Sequence, residues 1–196
     1  RDVFVAKLDN SGSFNWARGG GSTGVDQGIG IAHNPLGGAV VTGRFSSTMT
    51  FGSNSITSQG NDDIFVLSVN GGGPEKWLES AGSALADERG RSVAIDNQGN
   101  AYVVGFYKGT ADFSGTTLTS AGQRDVFLSK YNNDGALNWV RSGGGSGDDK
   151  GYDVATNEQG YVYIAGYARA TATFGASSFT SVGGRDHFVA VYDFLG

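Results

Sequence analysis

The chain has 196 residues, of which 38% are hydrophobic and 12% aromatic, too apolar a composition for a disordered segment. A formal charge of −5 carried by few lysines leaves no electrostatic footprint for nucleic acid, and the absence of cysteine removes disulfides and thiolate metal sites. No apolar run approaches the roughly 20 residues that a helical membrane span requires, and 34 glycines against two prolines predict short strands joined by tight turns.

Strands are predicted from the first residues onward. Val3-Phe4-Val5-Ala6 is apolar on both faces, as suits a sheet covered on two sides, and a second strand leads through Trp16 to the run Gly19-Gly20-Gly21. A set of four follows. Its first strand carries Gly30 and Ala32, its second Gly43, its third opens at Asp63 and holds Phe65, and its fourth holds Trp77. The next set shows the pattern best. Ser92-Val93-Ala94-Ile95 turns through Asp96-Asn97-Gln98-Gly99 into Ala101 to Tyr107, a hairpin. A polar stretch with Phe113 runs to Gly122. Asp125 to Tyr131 then turns at Asn132-Asn133-Asp134-Gly135 into Ala136 to Val140. Three strands of another set complete the chain, with Asp153, Ala155, Gly166 and Phe188 in the familiar phases.

Everything in this order recurs at a stride of 61 or 62 residues: Trp16, Trp77 and Trp139; Phe4, Phe65, Phe127 and Phe188; Gly43, Gly105 and Gly166. A fixed stride marks one supersecondary unit copied side by side. No segment has helical apolar spacing, so the chain is expected to be all-β, with two strands, then two sets of four, then three. The expected architecture is a β-propeller of four-stranded antiparallel blades, in preference to a solenoid, whose coils are usually shorter, or a string of sandwiches, which need about seven strands each. The repeats fall near 2–62, 63–124 and 125–185, a fourth begins at 186–196, and the whole is one segment, expected to be an excerpt of a longer ring. Phe4, Trp16 and their copies are expected to pack between blades, and small residues such as Gly30 and Ser92 to crowd near the axis.

Asp2 to Gly12, Gly90 to Gly105 and Thr110 to Gly122 resemble the bacterial β-propeller repeat abbreviated SBBP, and the resemblance covers essentially the whole chain. It implies a propeller in a large exported or surface-attached bacterial protein, with no agreed activity and no catalytic residues to carry over.

Chemistry is sparse. Asp26, Glu88 and Asp149 each stand two residues before a glycine, and in a ring they would gather near one mouth. They are candidate ligands for a hard cation such as calcium, against the plainer reading that each accepts N–H bonds in its own turn. Asp2, Asp63, Asp125 and Asp186 open the third strands and read as folding devices. The glycine runs lack the Lys-Ser/Thr of a phosphate loop, and His33 and His187 share no phase or metal spacing. Residues that break the repeat are better ligand candidates: Arg44 among aromatics, Tyr107, and Lys108 with Arg169. The expected function is a non-enzymatic extracellular binding or scaffold module of a bacterial secreted or surface protein, meeting protein or carbohydrate. Its other expected partners are further blades or a second copy completing the ring, without nucleic acid and without membrane insertion. A structural spacer in an adhesin or filament and a glycoside-acting propeller enzyme are the competing readings.

Overall fold

The computed structural model describes residues 1–84, 87–193 and 195–196. Nineteen strands, and no helix among the described residues, follow one another. The first group is β1 (Val3–Leu8), β2 (Phe14–Gly21), β3 (Gln27–His33), β4 (Ala39–Phe45), β5 (Thr48–Phe51) and β6 (Asn54–Thr57). Next come β7 (Asp63–Val69), β8 (Glu75–Gly82), β9 (Arg89–Ile95), β10 (Ala101–Tyr107), β11 (Thr110–Phe113) and β12 (Thr116–Thr119). The last are β13 (Asp125–Tyr131), β14 (Leu137–Gly145), β15 (Lys150–Thr156), β16 (Val162–Ala168), β17 (Thr171–Phe174), β18 (Ser177–Thr180) and β19 (Asp186–Tyr192).

They form four antiparallel sheets. Two have six strands, in the orders β3-β4-β7-β8-β11-β12 and β9-β10-β13-β14-β17-β18; the first sheet is β1-β2-β5-β6 and the last β15-β16-β19. The expected set of four is therefore extended by two strands. The addition is a short hairpin that leaves its own repeat after the second strand and joins the outer edge of the preceding sheet. Phe113 pairs with Ala81 and Asp112 with Gly82; Phe174 pairs with Gly143 in the same way. Four-residue, threonine-rich strands carry little apolar signal, so this stretch reads as polar linker in the sequence. Its turn is nonetheless legible in the backbone: Ser114 and Gly115 have φ of 48° and 88°, the primed geometry that suits the twist of a two-residue hairpin.

Sheets stack face to face over three apolar layers. On β7, Phe65, Leu67 and Val69 pack toward the first sheet with Val3, Val5 and Phe51, while Ile64 and Val66, with Phe113 of the same sheet, pack toward Val103 and Phe127 of the next. The third layer joins Val104, Val126 and Leu128 to Val154, Ile164 and Phe188. Alternation along a strand thus serves two cores rather than one core and solvent. Phe65, Phe127 and Phe188 are buried as expected, whereas Phe4 is 76% exposed, because β1 has a neighbouring sheet on its other face alone.

Two devices lock the layers. The Trp77 indole N–H donates to Asn133 O of the next sheet's turn at 3.0 Å, and the ring lies against Gly135, whose φ is +92°. Trp16 repeats this on Gly71 O, with Gly73 beneath it. At the inner edge, a β-carbon on Gly30 would come within 2.9 Å of Ser92 Cα, and Ser92 Oγ lies 2.7 Å from Asp153 Oδ1. The first strands β3, β9 and β15 therefore run side by side.

Candidate basic and aromatic rim

The first strands of three sheets, β3, β9 and β15, each skip one residue in their pairing with the second strand. Gly28 and Gly30, Gly90 and Ser92, and Gly151 and Asp153 are consecutive in register, which leaves Ile29, Arg91 and Tyr152 unpaired. A bulge at this point re-aims a side chain away from the sheet. Small residues on both sides of it tolerate the kink.

The segments just before the third strand of one sheet and the first strand of the next also meet, through Glu88 N–H to Asp62 O at 2.9 Å and Asp149 N–H to Arg124 O at 2.7 Å. This contact gathers one end of the sheets into a charged row. Asp62 lies between Arg44, which bonds it, and Arg89 at 4.0 Å. Asp87 takes Arg89 at 2.9 Å and Arg124 at 3.8 Å. Asp148 takes Arg124 at 2.5 Å, Arg185 at 3.6 Å and the Tyr167 hydroxyl at 3.0 Å. Burial raises the Asp148 carboxyl, but the hydrogen bonds from Arg124 and Tyr167 and the charge of Arg124 outweigh it, so its pKa stays below the ordinary value.

Beside the row stand aromatic rings with cations on them. Arg91, Arg124 and Lys150 lie 5.4, 5.3 and 4.8 Å from the centre of the Phe106 ring, within cation–π range. Arg91 also reaches Tyr152, and Lys150 and Arg185 reach Tyr167.

These positions are where the copies differ. Arg1, Asp62, Arg124 and Arg185 share one phase; Val25, Asp87 and Asp148 another; then Gln27, Arg89 and Lys150; Ile29, Arg91 and Tyr152; Arg44, Phe106 and Tyr167. Of the ligand candidates read from the sequence, Arg44 belongs to this rim. Tyr107 does not: it is fully buried, bonded to Ser142 and set edge-on to Phe113. Its strand is covered on both faces, so the ring fills a core. Lys108 and Arg169 have exposed side chains, and their main chains do other work: Lys108 O accepts from Ser83 Oγ, and Arg169 N–H donates to Asp149.

Asp26, Glu88 and Asp149 are buried, and each serves its own repeat. Asp26 accepts from Ser22 N–H and Oγ, Glu88 from Ser83 N–H and Oγ, Asp149 from Gly145 and Arg169 N–H. Among the described residues no group of three or more His, Asp or Glu that could hold a metal is formed. Two of these acids instead face the carboxyl that opens a third strand. Glu88 faces Asp63, and Asp149 faces Asp125. Burial, with the facing acid adding to it, raises Glu88 from its ordinary 4.5 to about 7 and Asp125 from 3.8 to about 6. Asp63 Oδ1 and Asp125 Oδ1 are buried without a donor, and a proton held on Glu88 supplies one to Asp63.

These raised carboxyls bind protons more tightly in the folded chain than in the unfolded one. Their contribution is complete below the ordinary carboxyl range and is lost as pH rises through about 6 to 7. Asp148 works in the opposite sense, but below its ordinary 3.8. The melting temperature is therefore expected to fall between pH 5 and pH 8, and Glu88→Gln, neutral at every pH, to flatten that slope. A differential-scanning series giving equal slopes for both proteins would contradict the assignment.

No protein-family model matches the chain. Among curated proteins it is similar to an uncharacterized WD repeat-containing protein of Acanthamoeba polyphaga mimivirus, 27% identical over 197 residues. That similarity covers 85% of this chain and 14% of the viral protein, so the chain matches a small part of its relative's length.

Proposed function

We propose that the chain is a run of β-propeller blades acting as a non-enzymatic binding scaffold, with the charged rim as its contact surface. One observation carries this reading: five phases at which the copies diverge meet on a single rim, while the recurrent Trp, Phe and Gly phases build the core. Copying accounts for the core residues and not for the rim. Sheets packed face to face with their first strands side by side support a propeller, and the WD repeat relative is in keeping with a repeat-built interaction protein. Arg-rich and Tyr-rich surfaces suit protein contact.

The acids on the rim argue against glycoside cleavage, which needs one protonated carboxyl as well as one ionised one. Asp62, Asp87 and Asp148 are all engaged by arginine, and Asp63, Glu88, Asp125 and Asp149, whose pKa values are raised, are buried below the surface. The setting in an exported or surface-attached bacterial protein is supported by the SBBP-like motifs alone.

The test is a pair of screens on the same preparation: peptide and glycan arrays for saturable binding, and chromogenic glycosides for turnover. Binding lost on Arg89→Ala with Arg124→Ala, and no turnover, is the expected outcome. Turnover abolished by Asp87→Asn would replace the scaffold with an enzyme.

A further inference from the structure

We infer that Arg91, Arg124 and Lys150, grouped around Phe106 on the rim, form a binding site for a side-chain carboxylate of an acidic peptide. This rests on the scaffold reading and names the chemistry its surface would take.

The outer row alternates in charge, so each of its cations already has an acid. The inner group does not alternate. Arg124 is shared with Asp148 and Asp87, whereas Asp87 and Asp148 act on Arg91 and Lys150 only from beyond ion-pair distance. The close contacts of these two cations are with aromatic faces, and Arg91 Nε is buried without a hydrogen-bond partner. Three cations converge on one ring, and each ring–cation contact is weaker than an ion pair made in the same surroundings. Like charges this close repel, and an anion between them relieves the repulsion. Burial and the neighbouring guanidinium of Arg124 hold the Lys150 ammonium below its ordinary pKa, and the nearby Asp148 carboxylate offsets this only in part.

Why a carboxylate on a peptide? Arginines of this rim already bind carboxylates at 2.5 and 2.9 Å, so the local geometry suits that group. A densely charged polyanion laid along the rim would meet Asp62, Asp87 and Asp148 at intervals, on a chain of net charge −5. A peptide with spaced acids avoids them. Partial exposure of Arg91, Lys150 and Arg124 leaves the group reachable, and the bulge at Arg91 sets its side chain apart from the sheet.

The test follows the backbone amides of the whole 196-residue chain by NMR during titration with an acetylated decapeptide of alternating Asp and Ser. The amides of Arg91, Phe106 and Lys150 are expected to shift saturably, with affinity at least fivefold weaker for Lys150→Met and for Arg91→Met, and weaker again as salt rises. The same spectra report whether the variants are folded. Absent shifts at these amides, or affinities unchanged in both variants, would overturn the site. So would tighter saturation of the same amides by polygalacturonate or inorganic phosphate, which would assign the cations to a glycan or a phosphate. Peptide shifts confined to Arg44 and Asp62 would remove this site and leave the scaffold reading standing, whereas array screens without any binding would remove that reading too.

Discussion

Trp77→Ala is expected to cost about 3–5 kcal/mol of unfolding free energy, the range for deleting a buried large aromatic. Trp77 is 6% exposed and does three things at once. Its ring stacks on Tyr131 at 6.1 Å and 26°, its indole N–H satisfies Asn133 O across the sheet boundary, and it covers Gly135. Alanine leaves a cavity between two sheets and removes one of the two donors to Asn133 O, the other being the Lys76 ammonium at 2.7 Å. Trp77→Phe keeps most of the area and loses the hydrogen bond, so its cost should be smaller. The turn tests the same contact from the other side. A β-carbon at Gly135 would stand 2.8 Å from the indole at a φ of +92°, so Gly135→Ala is strained twice over. Trp16, half-buried in the equivalent place, should lose less on truncation than Trp77. Urea unfolding followed by far-UV circular dichroism measures all four. Equal stability of Trp77→Ala and the parent would show that the indole does not join the sheets.

Phe113→Ala is expected to be nearly as damaging, again about 3–5 kcal/mol, although its strand is only four residues long. The ring is fully buried at 5.1 Å from Phe127 and 6.1 Å from Tyr107, while its backbone pairs with Ala81 of the preceding sheet. It therefore holds the exchanged hairpin down and fills the layer between two sheets. Substituting Leu118 on the returning strand, which is half-buried, should cost clearly less. Hydrogen exchange adds a second readout, since loosening the hairpin by Phe113→Ala should raise exchange at Thr110 to Thr119 more than elsewhere. A uniform rise would mean that the hairpin is not a separately anchored unit.

Much of the architecture was readable from recurrence. Trp, Phe and Gly at fixed phases mark residues that recur in every copy, and apart from the exposed Phe4 those residues lie between sheets. Gly43, Gly105 and Gly166 show why: a β-carbon there would stand only 1.8 to 2.0 Å from the carbonyl oxygen of Gln27, Arg89 or Lys150, and 2.8 to 2.9 Å from the ring of Phe65, Phe127 or Phe188. The exchanged hairpins were not readable, because Thr and Ser alternate there with a single small or aromatic residue and the pairing partner lies in another repeat.

The rim was harder still. Arg44 stood out as a break in an aromatic phase, and the same comparison suggested Tyr107, which is core. A difference between copies shows that a position is free to vary and not which way its side chain points. Arg91 breaks a repeat phase as Arg44 does, with Ile29 and Tyr152 in the other copies, but the bulge that re-aims its side chain leaves no mark in the sequence. The charged row is assembled from segments 18 to 24 residues apart in the chain, and only the meeting of consecutive sheets makes it continuous. The pairing of Glu88 with Asp63 was hidden for the same reason.

The convergence of the rim depends on first strands lying side by side, and the absence of native cysteine makes that contact easy to probe. Ser92→Cys combined with Asp153→Cys puts two thiols where Ser92 Oγ and Asp153 Oδ1 are 2.7 Å apart. Mild oxidation should close an intramolecular disulfide in this double variant, seen as loss of both titratable thiols in the monomer. Ser92→Cys combined with Asp112→Cys, on an outer hairpin of another sheet, should stay reduced. Persistent free thiols in the first pair, under conditions that oxidise exposed cysteines, would mean that β9 and β15 are apart and that no common rim exists.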